Sequence, residues 1–327
     1  MDKAWARPLF CIAVAMLYQR ESKMAEINRR IILSGIPALA ASAVLTRAWG
    51  DQSMSWGALS KAERDAAYNN SAAVAGSADI VAGWDKASEA WRNAHSGHLA
   101  LPYGPKERNK WDLFPASDAS KPCLIHIHGG YWQTRSKETF SCLAEGVAAH
   151  GWSAALPGYT LAPAASLTEI AAEMRAALDW FEQHRREHGI NGPLILSGWS
   201  AGGQLVAMML DHPSIHAGLG ISGIYEIGPL RDTYLNDKLK LTDAEIGALS
   251  PLRLAPVKKP MTIAYGTAEL RALIENSRDF NAKRAASHMP GELVPVPGAN
   301  HFTILEELRR PNGILTRAAL QLASGIG

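Results

Sequence analysis

Gly198-Trp199-Ser200-Ala201-Gly202 decides the reading of this chain. It follows the apolar run Pro193-Leu194-Ile195-Leu196 and precedes a helix-like run from Gly203 to Leu210. The spacing predicts a sharp strand-to-helix turn in which Gly198, Gly202 and Gly203 let the backbone reverse and lift the Ser200 hydroxyl off the sheet edge, a nucleophile elbow. A glycine-rich turn carrying a solvated serine is the plainer alternative. Two distant segments argue against it.

Upstream stands Leu124-Ile125-His126-Ile127-His128-Gly129-Gly130-Tyr131-Trp132. Leu124 to Ile127 reads as a buried strand, and the Gly-Gly step after it allows bare N–H groups to approach a ligand. Acyl transfer builds negative charge on the former carbonyl oxygen, which such donors stabilise by a few kcal/mol. The expected oxyanion hole is the backbone of Gly130 and Tyr131, with Gly129 a further candidate, completed by the Ala201 amide. Downstream, Gly298-Ala299-Asn300-His301-Phe302 follows the strand-like Glu292 to Val296. A serine hydroxyl needs an imidazole to take its proton, and the imidazole needs a carboxylate to fix its tautomer. Of eleven histidines, His301 is the base candidate that fits the chain order serine, acid, histidine, whereas His126 and His128 flank the oxyanion loop and His184 and His188 read as a polar helix face. For the acid, Glu269 lies in the turn after the strand-like Met261 to Tyr265. Its rival is Glu226, past the preceding strand Ala217 to Ile221, with a substrate-binding role if Glu269 is the acid.

The remaining chain alternates strands (111–114, 123–127, 153–156, 193–196) with helices (140–149, 167–184, 203–210). Further strands fall near Leu219, Ile263 and Val294, and a helix over Ile314 to Leu322 closes the series. Such alternation predicts an α/β fold with a mainly parallel central sheet flanked by helices. Residues Ile170, Met174, Leu178 and Phe181 recur at helical steps and mark a core-facing stripe. Helix-like segments at Lys61 to Tyr68 and Ile80 to Trp91 suggest a small N-terminal helical cap over about 53–95. The Tyr225 to Val257 segment breaks the alternation and reads as a second cap element, over about 225–257, at the active-site edge.

With 327 residues and 47% hydrophobic content, the chain can bury one large core, so residues 51–327 read as one catalytic domain. A net charge of +2 and the lack of a basic cluster interleaved with aromatics argue against nucleic acid as a partner. Three cysteines, Cys11, Cys123 and Cys142, do not make a disulfide framework, and the last two read as core packing. No metal-ligand spacing appears; His126-x-His128 has an adequate structural explanation beside the oxyanion loop. Residues 1–50 read as an export leader. Asn28-Arg29-Arg30 precedes the mildly apolar Ile31 to Leu45, which resembles a twin-arginine signal with cleavage after Ala43 or near Ala48 to Gly50, and Met24 is a candidate true start. The run is too short and too interrupted for a stable membrane span in the mature form. A periplasmic or secreted location follows, or a cytoplasmic one if the leader does not function. Assembly, including a homo-oligomer, stays open.

The elbow together with His128-Gly129-Gly130-Tyr131-Trp132 resembles the α/β-hydrolase fold, and the HGGYW form resembles the kynurenine formamidase (arylformamidase) branch near the hormone-sensitive lipase group. Ala67-Tyr68-Asn69-Asn70, Leu101-Pro102-Tyr103-Gly104 and Pro157 to Pro163 extend the likeness from about Trp56 to the C-terminus. The resemblance implies a Ser/acid/His hydrolase without metal or organic cofactor. Ser200 is then nucleophile, Glu269 the acid where many members have aspartate, His301 the base, and the Gly129 to Tyr131 backbone the oxyanion site. Its substrate is a small-molecule carboxylic ester, aryl amide or carbamate, with N-formylkynurenine as a narrower alternative at odds with an export leader. Tyr131, Trp132, Tyr159 and Trp199 are candidates to pack on a planar substrate group, with core filling as the competing role. A non-catalytic binding relative is the alternative from another class, but such relatives usually lose the nucleophile or base.

Overall fold

The computed structural model describes residues 56–326. The expected leader over 1–50, its cleavage positions and Cys11 therefore lie outside the described residues. The core is an eight-stranded sheet in the order β1-β2-β4-β3-β5-β6-β7-β8. Its strands are β1 Leu101–Pro102, β2 Lys110–Phe114, β3 Cys123–Ile127, β4 Ser153–Pro157, β5 Leu194–Trp199, β6 Ile215–Ile221, β7 Met261–Gly266 and β8 Leu293–Val296. Strands β3 to β8 run parallel, and β1 and β2 form an antiparallel edge. β3, β4, β5 and β7 are buried along their whole length. That explains their unbroken apolar runs: a parallel strand with helices on both faces has no solvent side on which to alternate.

The helices are α1 Lys61–Ala67, α2 Asn70–Ala73, α3 Ser77–Ala94, α4 Ala144–Ala148, α5 Leu167–His184, α6 Ala201–Met209, α7 Asn236–Leu239, α8 Asp243–Leu249, α9 Arg271–Ala286, α10 Glu306–Arg309 and α11 Ile314–Ser324. Capping boxes start three of them: Ser60 with Glu63, Ser166 with Glu169, and Thr242 with Glu245. Each pairs a side-chain acceptor with the third N–H of the helix and returns a carboxylate to the cap N–H. The stripe Ile170, Met174, Leu178 and Phe181 of α5 is buried, with Leu167, Ala171 and Ala177 beside it.

Three expectations need correction. The helix expected over 140–149 is instead a 3-10 segment, Lys137–Leu143, followed by the short α4. Ser88 of α3 is the cause. Its Oγ donates to Thr139 O at 2.8 Å and accepts from Cys142 N at 2.9 Å, occupying groups that an α-helical ladder would have paired within the segment. Second, His188 does not share a helix face with His184, because α5 ends at His184 and a turn follows. Third, α9 was not foreseen. Its buried side includes Leu273 and Phe280 but also Asn276, Ser277 and Arg284, so its apolar stripe is too thin to read.

Among the described residues, no helix is long and apolar enough to cross a membrane. Cys123 and Cys142 are both buried and unbridged.

Candidate active site

Ser200 sits between β5 and α6 with φ 57° and ψ −118°, a conformation that costs a non-glycine residue strain and recurs at functional turns. The surrounding glycines make it attainable. A Cβ on Gly202 would collide with Ile127 O, and one on Gly198 would strike Gly202 itself, so helix, elbow and strand approach more closely than any side chain permits. The Ser200 N–H is fixed by Ile221 O of β6 at 2.8 Å. The serine is 1% exposed.

Facing it is His301, whose Nε2 lies 3.1 Å from Ser200 Oγ. On the other side of the ring, Nδ1 lies 2.9 Å from Glu269 Oε2. A carboxylate only accepts, so Nδ1 carries the ring proton and Nε2 is left with a lone pair toward the serine. The Glu269 side chain is fully buried. Its Oε1 accepts from Ser222 Oγ and from Gly266 N, both at 2.6 Å, which uses its remaining lone pairs and prevents rotation. Glu226, the rival acid, is occupied elsewhere. It accepts from Arg253 Nε at 2.8 Å and from Gly228 N at 2.8 Å, bracing the segment between β6 and β7. The structure therefore brings Glu269, and not Glu226, to the imidazole.

The acid and histidine loops are joined along their backbones. Thr267 N donates to Val296 O, Ala268 N to Ala299 O, and Gly298 N to Thr267 Oγ1. Gly266 permits this, since a Cβ there would run into Ala299 O. Asn300 shapes the last turn by accepting from Phe302 N and Thr303 N, an Asx-type turn that presents His301. Ser222, Gly266 and Asn300 escaped the sequence reading. Only Asn300, an Asx residue directly before the histidine, carried a local signal.

The loop after β3 lies against the serine. An added Cβ on Gly129 would come within 3.0 Å of Ser200 Cβ and 2.6 Å of Trp199 O. Gly130, Tyr131 and Trp132 have φ of 107°, 52° and 56°, a left-handed run that turns the backbone away from the strand direction. Among the described residues, no acceptor takes the N–H of Gly129, Gly130, Tyr131 or Ala201. Unpaired N–H groups beside a nucleophile are what an oxyanion needs.

Trp132 and Tyr159 are 0% exposed, in keeping with the core-filling role given as their alternative. Tyr159 stacks on His128 at 4.2 Å between ring centroids, and its hydroxyl donates to His128 O at 2.9 Å. Trp132 is packed within the core. Trp199 is also buried and works on the base: its Nε1 donates to His301 O at 2.8 Å, and its ring lies 4.7 Å from the imidazole. The site's requirement for a rigid backbone absorbs these rings. Burial holds His126 and His128 down to about 3, so both are neutral spacers beneath the loop. Among the described residues, no group of three or more His, Cys, Asp or Glu is placed to hold a metal ion.

Comparison with known proteins agrees with this fold. The BD-FAE family matches residues 112–212, from β2 through the elbow to just past α6. A solved structure from a Silicibacter species, provisionally assigned as a thioesterase, is 30% identical with a TM-score of 0.72, covering 79% of this chain and 99% of that one. Esterase B of Lactobacillus rhamnosis superposes with a TM-score of 0.60 at 17% identity, over 80% of this chain and 97% of its own. Kynurenine formamidase of Danio rerio is 28% identical over 242 residues, 68% of this chain and 81% of that protein. The chain belongs to the α/β-hydrolase family of esterases. Within that family it is a hydrolase with distant relatives among the kynurenine formamidases.

Proposed function

We propose that the protein is a serine hydrolase that cleaves carboxylic ester or aryl amide and carbamate bonds through an acyl-enzyme. The reading is carried by one observation: the unbroken line from Ser200 Oγ through the His301 ring to the buried Glu269 carboxylate. Ser200 Oγ bonds to the substrate carbonyl carbon while its proton passes to His301 Nε2. The carbonyl oxygen becomes an oxyanion held by the N–H groups of Gly129, Gly130, Tyr131 and Ala201. Collapse breaks the bond to the leaving alcohol or amine, which takes the proton from His301. Water then repeats the sequence on the acyl-serine, giving its proton to His301 and releasing the acid and Ser200. Glu269 holds the tautomer throughout and stabilises the imidazolium.

The substrate test is a hydrolysis screen of p-nitrophenyl esters, N-formyl aryl amides and aryl carbamates, with Ser200→Ala as control. Turnover of at least one class by wild type and none by the variant supports the reading; equal rates in both contradict it. A second reading, an arylformamidase acting on N-formylkynurenine, is favoured by the kynurenine formamidases of Danio rerio, Salmo salar and Drosophila melanogaster, 28%, 29% and 24% identical to this chain. A preference for N-formyl aryl amides over esters of similar size in the same screen selects it.

A further inference from the structure

The oxyanion loop is tied to the N-terminal helices by a clasp that the reaction itself does not require. The Tyr131 hydroxyl donates to Tyr68 O at 2.6 Å and accepts from Asn70 Nδ2 at 2.9 Å. A phenol has one proton, and here it goes to the Tyr68 carbonyl. The second partner must therefore be a donor, and an amide supplies one where a carboxylate would not. Asn70 is buried, and its Oδ1 finds no partner among the described residues. A buried amide kept with half its bonding capacity unused carries a desolvation cost, for which the role of its other half accounts.

The need for a clasp is visible in the loop. Gly130, Tyr131 and Trp132 all have positive φ, and two of them are not glycine. Such a run persists only where its surroundings over-determine it. Backbone ties hold its far side, with Gln133 N and Thr134 N donating to Gly130 O, and Ala162 N to Trp132 O. Gln133 Nε2 adds a bond to Leu235 O. At Tyr131 itself the hold is the phenol. Burial pushes its pKa well above the ordinary range, so it stays a donor throughout the working range.

We propose that Asn70 is a positioning residue, whose amide, with the Tyr68 carbonyl, pins the Tyr131 phenol and so aims the oxyanion-loop N–H groups at the reacting carbonyl. This rests on the serine-hydrolase reading above. It makes the N-terminal helical segment part of the catalytic apparatus, through one hydrogen bond from each of two residues. It also predicts that shape alone does not suffice at position 70. In Asn70→Asp the carboxylate competes for the phenol proton and draws it from Tyr68 O, although the side chain is isosteric.

The test compares Asn70→Asp, Asn70→Ala and Tyr131→Phe with Thr242→Ala, which removes the capping box of α8. Rates are expressed per active site, titrated with a fluorophosphonate, so that misfolded protein does not enter. Expected is a fall in kcat of about tenfold to a hundredfold in the three clasp variants, with KM within about threefold of wild type. Binding of an alkyl boronic acid, which mimics the tetrahedral adduct, should weaken in proportion. Thr242→Ala should lower thermal stability and keep its kcat. Clasp variants whose kcat per titrated site stays within twofold of wild type, or whose boronate affinity is unchanged, overturn the proposal. Failure of wild type to react with the fluorophosphonate would instead remove the underlying serine-hydrolase reading.

Discussion

Replacing Glu269 by glutamine changes one oxygen to an NH2 group and leaves the shape intact. Its consequence can be worked out atom by atom. Gly266 N can only donate toward the side chain, and it lies 2.6 Å from Oε1, beside Ser222 Oγ at the same distance. The single amide oxygen must therefore remain there, and the new NH2 group faces His301 Nδ1, 2.9 Å from the present Oε2. A donor at that point forces Nδ1 to become the acceptor and moves the ring proton to Nε2. The nitrogen 3.1 Å from Ser200 Oγ then has no lone pair to offer. The equivalent change in other Ser-His-acid enzymes costs about 10⁴ in kcat, about 5.5 kcal/mol of barrier at about 1.4 kcal/mol per decade. Glu269→Gln is thus expected to lose about 10³- to 10⁴-fold in kcat on a p-nitrophenyl ester at pH 8, with circular dichroism and KM near wild type. Glu226→Gln, which loosens a bond to Arg253, should stay within a few-fold. A loss below tenfold in Glu269→Gln, or a larger loss in Glu226→Gln, would refute the reasoning.

Other consequences follow from the same contacts. His126 and His128 are held near 3 in the folded chain, whereas unfolded imidazoles titrate near ~6.5, so the unfolded state takes up protons that the native state refuses. Their contribution to stability is intact above ~6.5 and is lost as pH falls toward 3, each by on the order of 1 kcal/mol per pH unit; urea titrations at pH 7.5, 6 and 5 should show a shallower acid slope in His126→Asn than in wild type, and equal slopes would contradict this. Tyr159→Phe deletes only the bond to His128 O, so it should cost about 1 kcal/mol in urea unfolding and leave the ratio of aryl to alkyl ester kcat/KM unchanged; a shifted ratio would return Tyr159 to the substrate site. Gly202→Ala drives a Cβ into the carbonyl of Ile127 and should lower stability by about 3 kcal/mol, read as a thermal midpoint depressed by several degrees, whereas an unshifted midpoint would mean that helix and strand can separate cheaply. We further propose that the N-terminal segment directs export: N-terminal sequencing of protein from its native host should begin after Ala43 or near Ala48 to Gly50, and an intact start at Met1 or Met24 would count against it.

The sequence carried the sheet and the serine turn because both are written locally. A parallel strand shows as a continuous apolar run, and a sharp strand-to-helix turn shows as glycines at fixed spacing around one serine. His301 and Glu269 were legible only by order along the chain, since nothing local distinguishes a reacting histidine or glutamate from a solvated one. What joins them is the backbone zipper between residues 267–268 and 296–299, a contact between two loops that no periodicity encodes. Ser222 was invisible for the same reason: a lone serine one residue past β6 becomes a partner of Glu269 only once β6 and β7 lie side by side. For the aromatic residues the sequence left substrate packing and core filling both open, because it does not say which way a ring faces. Trp132, Tyr159 and Trp199 are all buried, and Trp199 packs on the His301 ring. The 3-10 segment at Lys137–Leu143 depended on a single hydroxyl, Ser88, supplied from about fifty residues earlier.

Mass spectrometry of protein inactivated with a fluorophosphonate addresses the central claim most directly. One adduct per chain, mapped to the peptide bearing Ser200 and formed in step with loss of esterase activity, is the expected result, because Ser200 Oγ lies 3.1 Å from the His301 Nε2 lone pair. An adduct on any other residue, or full inactivation with Ser200 unmodified, would contradict the account.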